Sequence, residues 1–257
     1  MPAREPGGVI LVGTPCYTGS VSVPYLTSLL AMERHCHQVG IDIELQHITG
    51  ESLLPRARNL IANTFLRRHE FSHLLLIDPD IGFPADALER YLRSGREVVC
   101  GLPPAPRLDI ARLCALPAGL SAAEAEAAAL SYPYTPCPGA VVGPDGLLPA
   151  LAAPAAFMLL GRRVLRRLAQ ASPELRYRQS YVDSGDAMFK KWAFFHPGVD
   201  PDTRQALSDD AAFCRRWIAL GGTIDADTIG RFTRTGLYAA TGAAAAQQTL
   251  GRGSLRG

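Results

Sequence analysis

The run His73-Leu74-Leu75-Leu76-Ile77-Asp78-Pro79-Asp80 decides the fold. Its unbroken apolar stretch reads as a strand buried on both faces, the kind a parallel sheet contains. It ends in two carboxylates flanking a proline, which cannot donate to a ladder. Downstream, a helix is predicted from Pro84 to about Arg93, then a fourth strand at Val98-Val99-Cys100. Upstream, a helix opens at Pro55 with Leu60, Ile61, Thr64 and Phe65 on its apolar side. Before it, Ile41, Ile43 and Leu45 alternate with polar residues as a strand should. Ser22 is placed as an N-cap, with Pro24 in the first turn, a helix towards His37 and Gly40 as its stop. The first strand is Val9-Ile10-Leu11-Val12, closed by a turn at Gly13-Thr14-Pro15. Repeated βα units predict an α/β fold with a mostly parallel central sheet and helices on both faces. Ligands in such sheets bind beyond the carboxyl ends of the strands, where Asp78 and Asp80 stand.

The second half is less regular. Ser121 and Glu124 form a capping-box signature for an alanine-rich helix to about Leu130. Tyr132 to Gly139, with three prolines, reads as a loop. Ala156–Leu160 is a further buried strand, and Arg162–Ala169 a helix. Ser208 caps a last helix to about Leu220, stopped by Gly221-Gly222. Between Ser172 and Leu207 no element is assignable. With no repeat or linker, one domain is expected over residues 1–242, and a flexible tail over 243–257.

At 257 residues, 47% hydrophobic and 19% charged, the composition is that of a folded domain. A net charge of +2 gives no ground for a nucleic-acid partner. The arginine pairs at 162–163, 166–167 and 215–216 read as solvated helix faces. Six cysteines without a CxxC pair argue against a zinc ribbon or disulfide framework. No apolar run suits a signal peptide or a membrane span, so a cytoplasmic location is expected. His35-Cys36-His37 has metal-like composition, but neighbours at i and i+2 diverge on a helix, and the stretch reads as helix surface.

Two acidic sites carry the chemistry. Carboxylates at Asp78 and Asp80, just past a buried strand, are costly unless a cation satisfies them. Mg²⁺ or Mn²⁺ would suit, held by one or two carboxylates with phosphate oxygens and water. Asp209 and Asp210 follow Ser208 in the first turn of a helix, where the macrodipole favours their ionised form. Capping alone accounts for one such acid. A catalytic reading needs one of them to take a proton from an acceptor hydroxyl.

The runs FSHLLLIDPDIGFPADALERYL, VVCGLPP and LSDDAAFCRRWIALGG together resemble GT-A-type glycosyltransferases, most of all small bacterial and viral family-2-like members. TPCYTGSVSVPYL, LLPRARNLIANTFL and AAFMLLGRRVLRRL fit the same pattern, so the resemblance spans residues 9–242. It implies a GT-A (Rossmann-like) sheet and transfer of a sugar from a nucleotide-diphosphate donor to a glycan, lipid-linked or small-molecule acceptor, with inversion. Thr14, Pro15 and Tyr17 would line the base pocket, and Arg58 and Asn59 would lie near the nucleotide or donor sugar. Asp78 would contact ribose or sugar, Asp80 would hold Mn²⁺ or Mg²⁺, and Asp210 would be the general base. Trp217 would pack the helix.

The chain departs from that pattern at three places. Leu102-Pro103-Pro104-Ala105 stands where a Tyr-Pro-Lys-like segment is usual, and Ala156 where a glycine precedes the phenylalanine. Arg234, in Thr233-Arg234-Thr235-Gly236, stands where a histidine commonly completes the metal site. Arginine offers only donors and cannot ligate a metal. Either Arg234 pairs with the diphosphate directly, or the chain binds sugar nucleotides without turnover, as a scaffold. A nucleotidyltransferase is the other enzymatic alternative, but Gly13-Thr14-Pro15-Cys16 is not the glycine-rich basic loop it would show.

Overall fold

Residues 8–177 and 191–236 are described by the computed structural model. Through the first half the chain forms strand β1 (Val9–Pro15), helix α1 (Val23–Val39), β2 (Ile43–Ile48), α2 (Leu54–Arg67), β3 (Phe71–Ile77), β4 (Ile81–Gly82), α3 (Ala87–Ser94) and β5 (Val98–Gly101). There follow α4 (Ile110–Cys114), α5 (Ala122–Ala129), β6 (Thr135–Pro136), β7 (Leu147–Ala152), β8 (Phe157–Gly161) and α6 (Arg162–Ala171). The last described elements are β9 (Arg176–Tyr177), β10 (Lys191–Trp192), β11 (Gly198–Val199), β12 (Ala206–Leu207), α7 (Asp209–Ala219), β13 (Asp225–Asp227) and β14 (Thr233–Arg234). The flexible tail expected at 243–257 lies outside the described residues.

A mostly parallel central sheet runs in the order β2-β1-β3-β8-β5-β13-β7-β6. Strands β2, β1 and β3 are mutually parallel, as are β5 and β13. Between them β8 runs antiparallel to both neighbours. Alternation along each strand divides the core into two layers, as the pleat requires. Leu11, Leu74, Leu76, Met158 and Leu160 face α2, α6 and α7 through Ile61, Phe65, Val164, Phe213 and Trp217. Ile10, Val12, Leu75, Ile77, Phe157 and Leu159 face α1 and α3 through Tyr25, Met32, Leu88 and Tyr91. The α/β expectation, with helices on both faces, is met.

Local signals acted as chemistry requires. Ser22 accepts from the Tyr25 amide and Gly40 closes α1 in the left-handed region at φ 71°. The Ser121–Glu124 capping box is reciprocal, and Ser208 caps α7. Gly222 has its own reason, because a Cβ there would meet the Trp217 ring at 2.0 Å. Trp217 is fully buried and donates from Nε1 to the Thr223 carbonyl, so it packs as expected.

Some expectations fail. Gly13-Thr14-Pro15 is no turn: β1 stays paired with β2 through Pro15. The loop expected at Tyr132–Gly139 contains β6, an edge strand on β7. Helix α3 begins at Ala87 because a turn, with the Ala87 amide on the Pro84 carbonyl, precedes it. The arginines are not all solvated. Arg162 donates to the carbonyls of Leu66, Arg68 and Phe71, closing the end of α2, while Arg167 and Arg216 donate to those of Leu220, Phe194 and His196. Nor is His35-Cys36-His37 all surface: Cys36 is buried, and burial pushes its thiol up to about 11, while His35 pairs with Glu89 at 2.7 Å. Among the described residues, no helix is long and apolar enough to cross a membrane.

Candidate functional site

The acidic turn after β3 is held by backbone on every side. Asp78 donates its amide to the Ala156 carbonyl at 2.9 Å, and Ile81 returns to the Asp78 carbonyl at 3.2 Å. The Pro79 carbonyl accepts from Ser22, the N-cap of α1, at 2.9 Å. Beyond it, β4 and β14 form an antiparallel ribbon with Arg234 opposite Ile81, and the Thr235 amide donates to the Asp80 carbonyl at 2.9 Å. A segment more than 150 residues away in sequence is thereby fixed against Asp78-Pro79-Asp80.

The side chains interlock as the backbone does. Arg58, on α2, reaches both Asp78 carboxylate oxygens from Nη2 at 2.9 and 3.0 Å. Its Nη1 donates to Asp209 Oδ2 at 2.7 Å, joining the acidic turn to the start of α7. Burial alone would lower the Arg58 pKa, but Asp78 and Asp209 outweigh it and hold the guanidinium charged. Arg234 approaches the same cluster from the other side, with Nη2 3.7 Å from Asp78 Oδ2 and Nε 3.4 Å from Asp80 Oδ2. Its Nε is buried yet poorly aligned on Asp80 and makes no hydrogen bond. Burial raises the Asp80 carboxyl above its ordinary range, with Arg234 pulling it down.

The other predicted residues fall around this centre. Thr14, at the end of β1, is buried and shares a 2.6 Å hydrogen bond with the Tyr25 hydroxyl. Pro15 is buried beside it, while the Tyr17 ring stands exposed past the strand end. Asn59 is buried and its Oδ1 accepts from the Phe195 amide at 2.9 Å, so that oxygen is spent on the protein. Asp210 is half-buried, its Oδ1 taking hydrogen bonds from the Ser208 hydroxyl and from the Ala211 amide at 2.8 Å. Burial pushes the Cys214 thiol up to about 12, and the Asp210 carboxylate raises both that thiol and Cys100.

Sequence reasoning passed over two features. Asp209, given no role of its own, is the one that meets Arg58. Its only signal in the sequence is its place in the first turn after Ser208, which does not reveal a partner on α2. Asp227, at the end of β13, is fully buried and accepts from Arg90 Nη2 (2.7 Å), the Tyr91 hydroxyl (2.8 Å) and the amides of Ile229 (3.1 Å) and Gly230 (2.9 Å). This carboxylate anchors the loop that leads to Arg234. The three residues of β13, Asp225-Ala226-Asp227, include a single apolar one and gave no hint of it.

Mn²⁺ or Mg²⁺ at Asp80 is tested by the donor set. Among the described residues no three His, Cys, Asp or Glu side chains come together in a group able to hold a metal ion. The Asp78 oxygens are engaged by Arg58, and the Arg234 guanidinium lies against Asp78 and Asp80, where a second cation would be repelled. Three carboxylates, Asp78, Asp80 and Asp209, face two guanidiniums, Arg58 and Arg234, so a divalent cation at Asp80 would have to share that carboxylate with Arg234.

No protein-family model matches the chain, and no curated protein matches it significantly. Solved structures do resemble it. A197 from STIV aligns at 11% identity over 91% of this chain and 97% of its own, with a TM-score of 0.45. Residues 1–349 of S. aureus TarS align at 9% identity over 89% of this chain and 60% of that one, TM-score 0.41. A Bacillus anthracis protein assigned as a glucose-1-phosphate thymidylyltransferase, in complex with sucrose, aligns at 9% identity over 88% and 89%, TM-score 0.38. At such scores the likenesses carry no functional weight, and the fold class rests on the sheet itself.

Proposed function

We propose that this chain transfers a sugar from a nucleoside-diphosphate donor to an acceptor hydroxyl, with an arginine in place of the usual metal. One observation carries the reading: Arg234 is held by the β4/β14 ribbon against both Asp78 and Asp80, at the carboxyl end of β3. A guanidinium placed there can take the leaving diphosphate in charge-assisted hydrogen bonds. Asp78, fixed by Arg58, would accept from sugar or ribose hydroxyls. Thr14, Pro15 and Tyr17 would border the base beyond β1. Asp210 would remove the acceptor proton through Oδ2, which accepts no hydrogen bond from the described residues. As that proton leaves, the acceptor oxygen bonds to the anomeric carbon. The bond from that carbon to the phosphate oxygen breaks on the opposite face, and its electron pair departs with the nucleoside diphosphate. The anomeric centre inverts, through an oxocarbenium-like transition state.

Turnover tests this. The wild-type chain is expected to release nucleoside diphosphate from one donor in the presence of acceptor. Asp210→Asn, which keeps an oxygen for Ser208 and Ala211, should lose at least about 100-fold in kcat while still binding nucleotide. Undiminished turnover in that variant would remove Asp210 as the base. Nucleotide binding without release from any donor would favour the scaffold reading, in which Arg58 holds Asp78 and Asp209 in a purely structural lock.

A further inference from the structure

A cavity of about 960 Å³ opens on the same edge of the sheet, past the ends of β5 and β13. It lies between the segment carrying α4 and α5 and the loop from Asp227 to Gly236, and Arg234 is part of its wall. Its volume suits a ligand of two or three sugar units rather than a single small ion. Whatever occupies it lies against the guanidinium that also meets Asp78 and Asp80.

The charge left free in this cavity is positive. Asp227 is spent on its four donors, and Glu124 on the Ser121 cap. Arg107 and Arg231 also line the cavity and are exposed, and their side chains have no hydrogen-bond or ion-pair partner among the described residues. Of the lining acids only Glu126 is uncommitted. Tyr132 and Tyr134 add partly exposed rings, which suit the apolar face of a sugar. The neutral alternative, a site for an uncharged glycan, leaves both arginines without a purpose in the wall.

We propose that this cavity binds an anionic saccharide, bearing a carboxylate or phosphate that Arg107 and Arg231 recognise, and that it is the acceptor. The acceptor role rests on the transferase reading; binding of the anionic saccharide does not. The test uses the full chain and three probes: trigalacturonate, glucose 6-phosphate and uncharged galactotriose. Binding is followed by calorimetry, with a nucleoside diphosphate titrated separately. Trigalacturonate or glucose 6-phosphate should bind at least about tenfold more tightly than galactotriose, and which of them does so separates carboxylate from phosphate. Arg107→Ala combined with Arg231→Ala should erase that preference, while melting temperature and nucleotide binding stay unchanged. Equal binding of galactotriose, retention of the preference in the double variant, or no binding of either anion would overturn the proposal. Anion binding without nucleotide binding would leave the cavity assignment standing and sink the transferase reading. Nucleotide binding without anion binding would do the reverse.

Discussion

Asp80 and Arg234 hold the balance of charge on which the site depends. Arg58 is committed to two carboxylates, Asp78 and Asp209, and loses most of its freedom to a ligand. Arg234 is less committed, at 3.4 and 3.7 Å from its partners, and is the guanidinium free to turn towards phosphate. The Asp80 carboxyl, raised by burial despite Arg234, takes up a proton in the folded protein before it does so in the unfolded chain. By linkage, this group stabilises the fold on acidification, and that contribution is lost as pH rises from 3.8 through the raised value. Asp80→Asn, a neutral isostere, should therefore melt higher than wild type near neutrality, with the gap closing as pH falls. A variant that melts lower near neutrality would mean that the Asp80–Arg234 attraction outweighs the cost of burial. At this scale the sequence singled out Asp78, Asp80, Arg58 and Arg234 but not the contacts among them. Nothing in the spacing of Arg58 and Asp209 says that α2 and α7 bring them to 2.7 Å.

Elements, unlike contacts, were readable where local chemistry set them. Helices α1, α5 and α7 begin at Ser22, Ser121 and Ser208, because each hydroxyl takes up an otherwise unsatisfied amide. Strands β3 and β8 announced themselves by unbroken apolar runs, since both faces are covered. The short ribbon of β4 and β14 did not, for two-residue strands have no period to read. Yet this ribbon positions Arg234, and Gly82 is its tight point. A Cβ there would lie 2.9 Å from Pro24 Cβ and 3.3 Å from Thr233 Cβ, so the first turn of α1 would have to shift and Thr233, beside Arg234, to give by a few tenths of an ångström. Gly82→Ala is expected to cost about 1–3 kcal/mol in urea denaturation. It should also weaken nucleoside-diphosphate binding by about tenfold as Arg234 shifts. Lost stability with unchanged affinity would separate the ribbon from the site.

Across the whole molecule, the parallel strands gather function at one edge. Pro15 ends β1, Asp78 follows β3, Leu102 follows β5 and Asp227 ends β13, so the acidic turn and the cavity share a rim. The sheet's existence was legible from its βα repeats, but the insertion of β8 between β3 and β5 was not. That reversal is decided by pairing over long sequence distance, and it brings the Ala156 carbonyl to the Asp78 amide. The same is true of the cavity, whose walls come from segments about a hundred residues apart and whose unpaired arginines look like ordinary surface in sequence. What the rim does with charge is the central claim, and one titration addresses it. UDP, GDP, CDP and dTDP are each titrated into the full chain and into Arg234→Ala, in EDTA and in Mn²⁺. One nucleotide should bind the wild type in EDTA, with little gain from Mn²⁺ and a loss of at least about tenfold in Arg234→Ala. Binding that requires Mn²⁺ and ignores the loss of Arg234 would contradict the account.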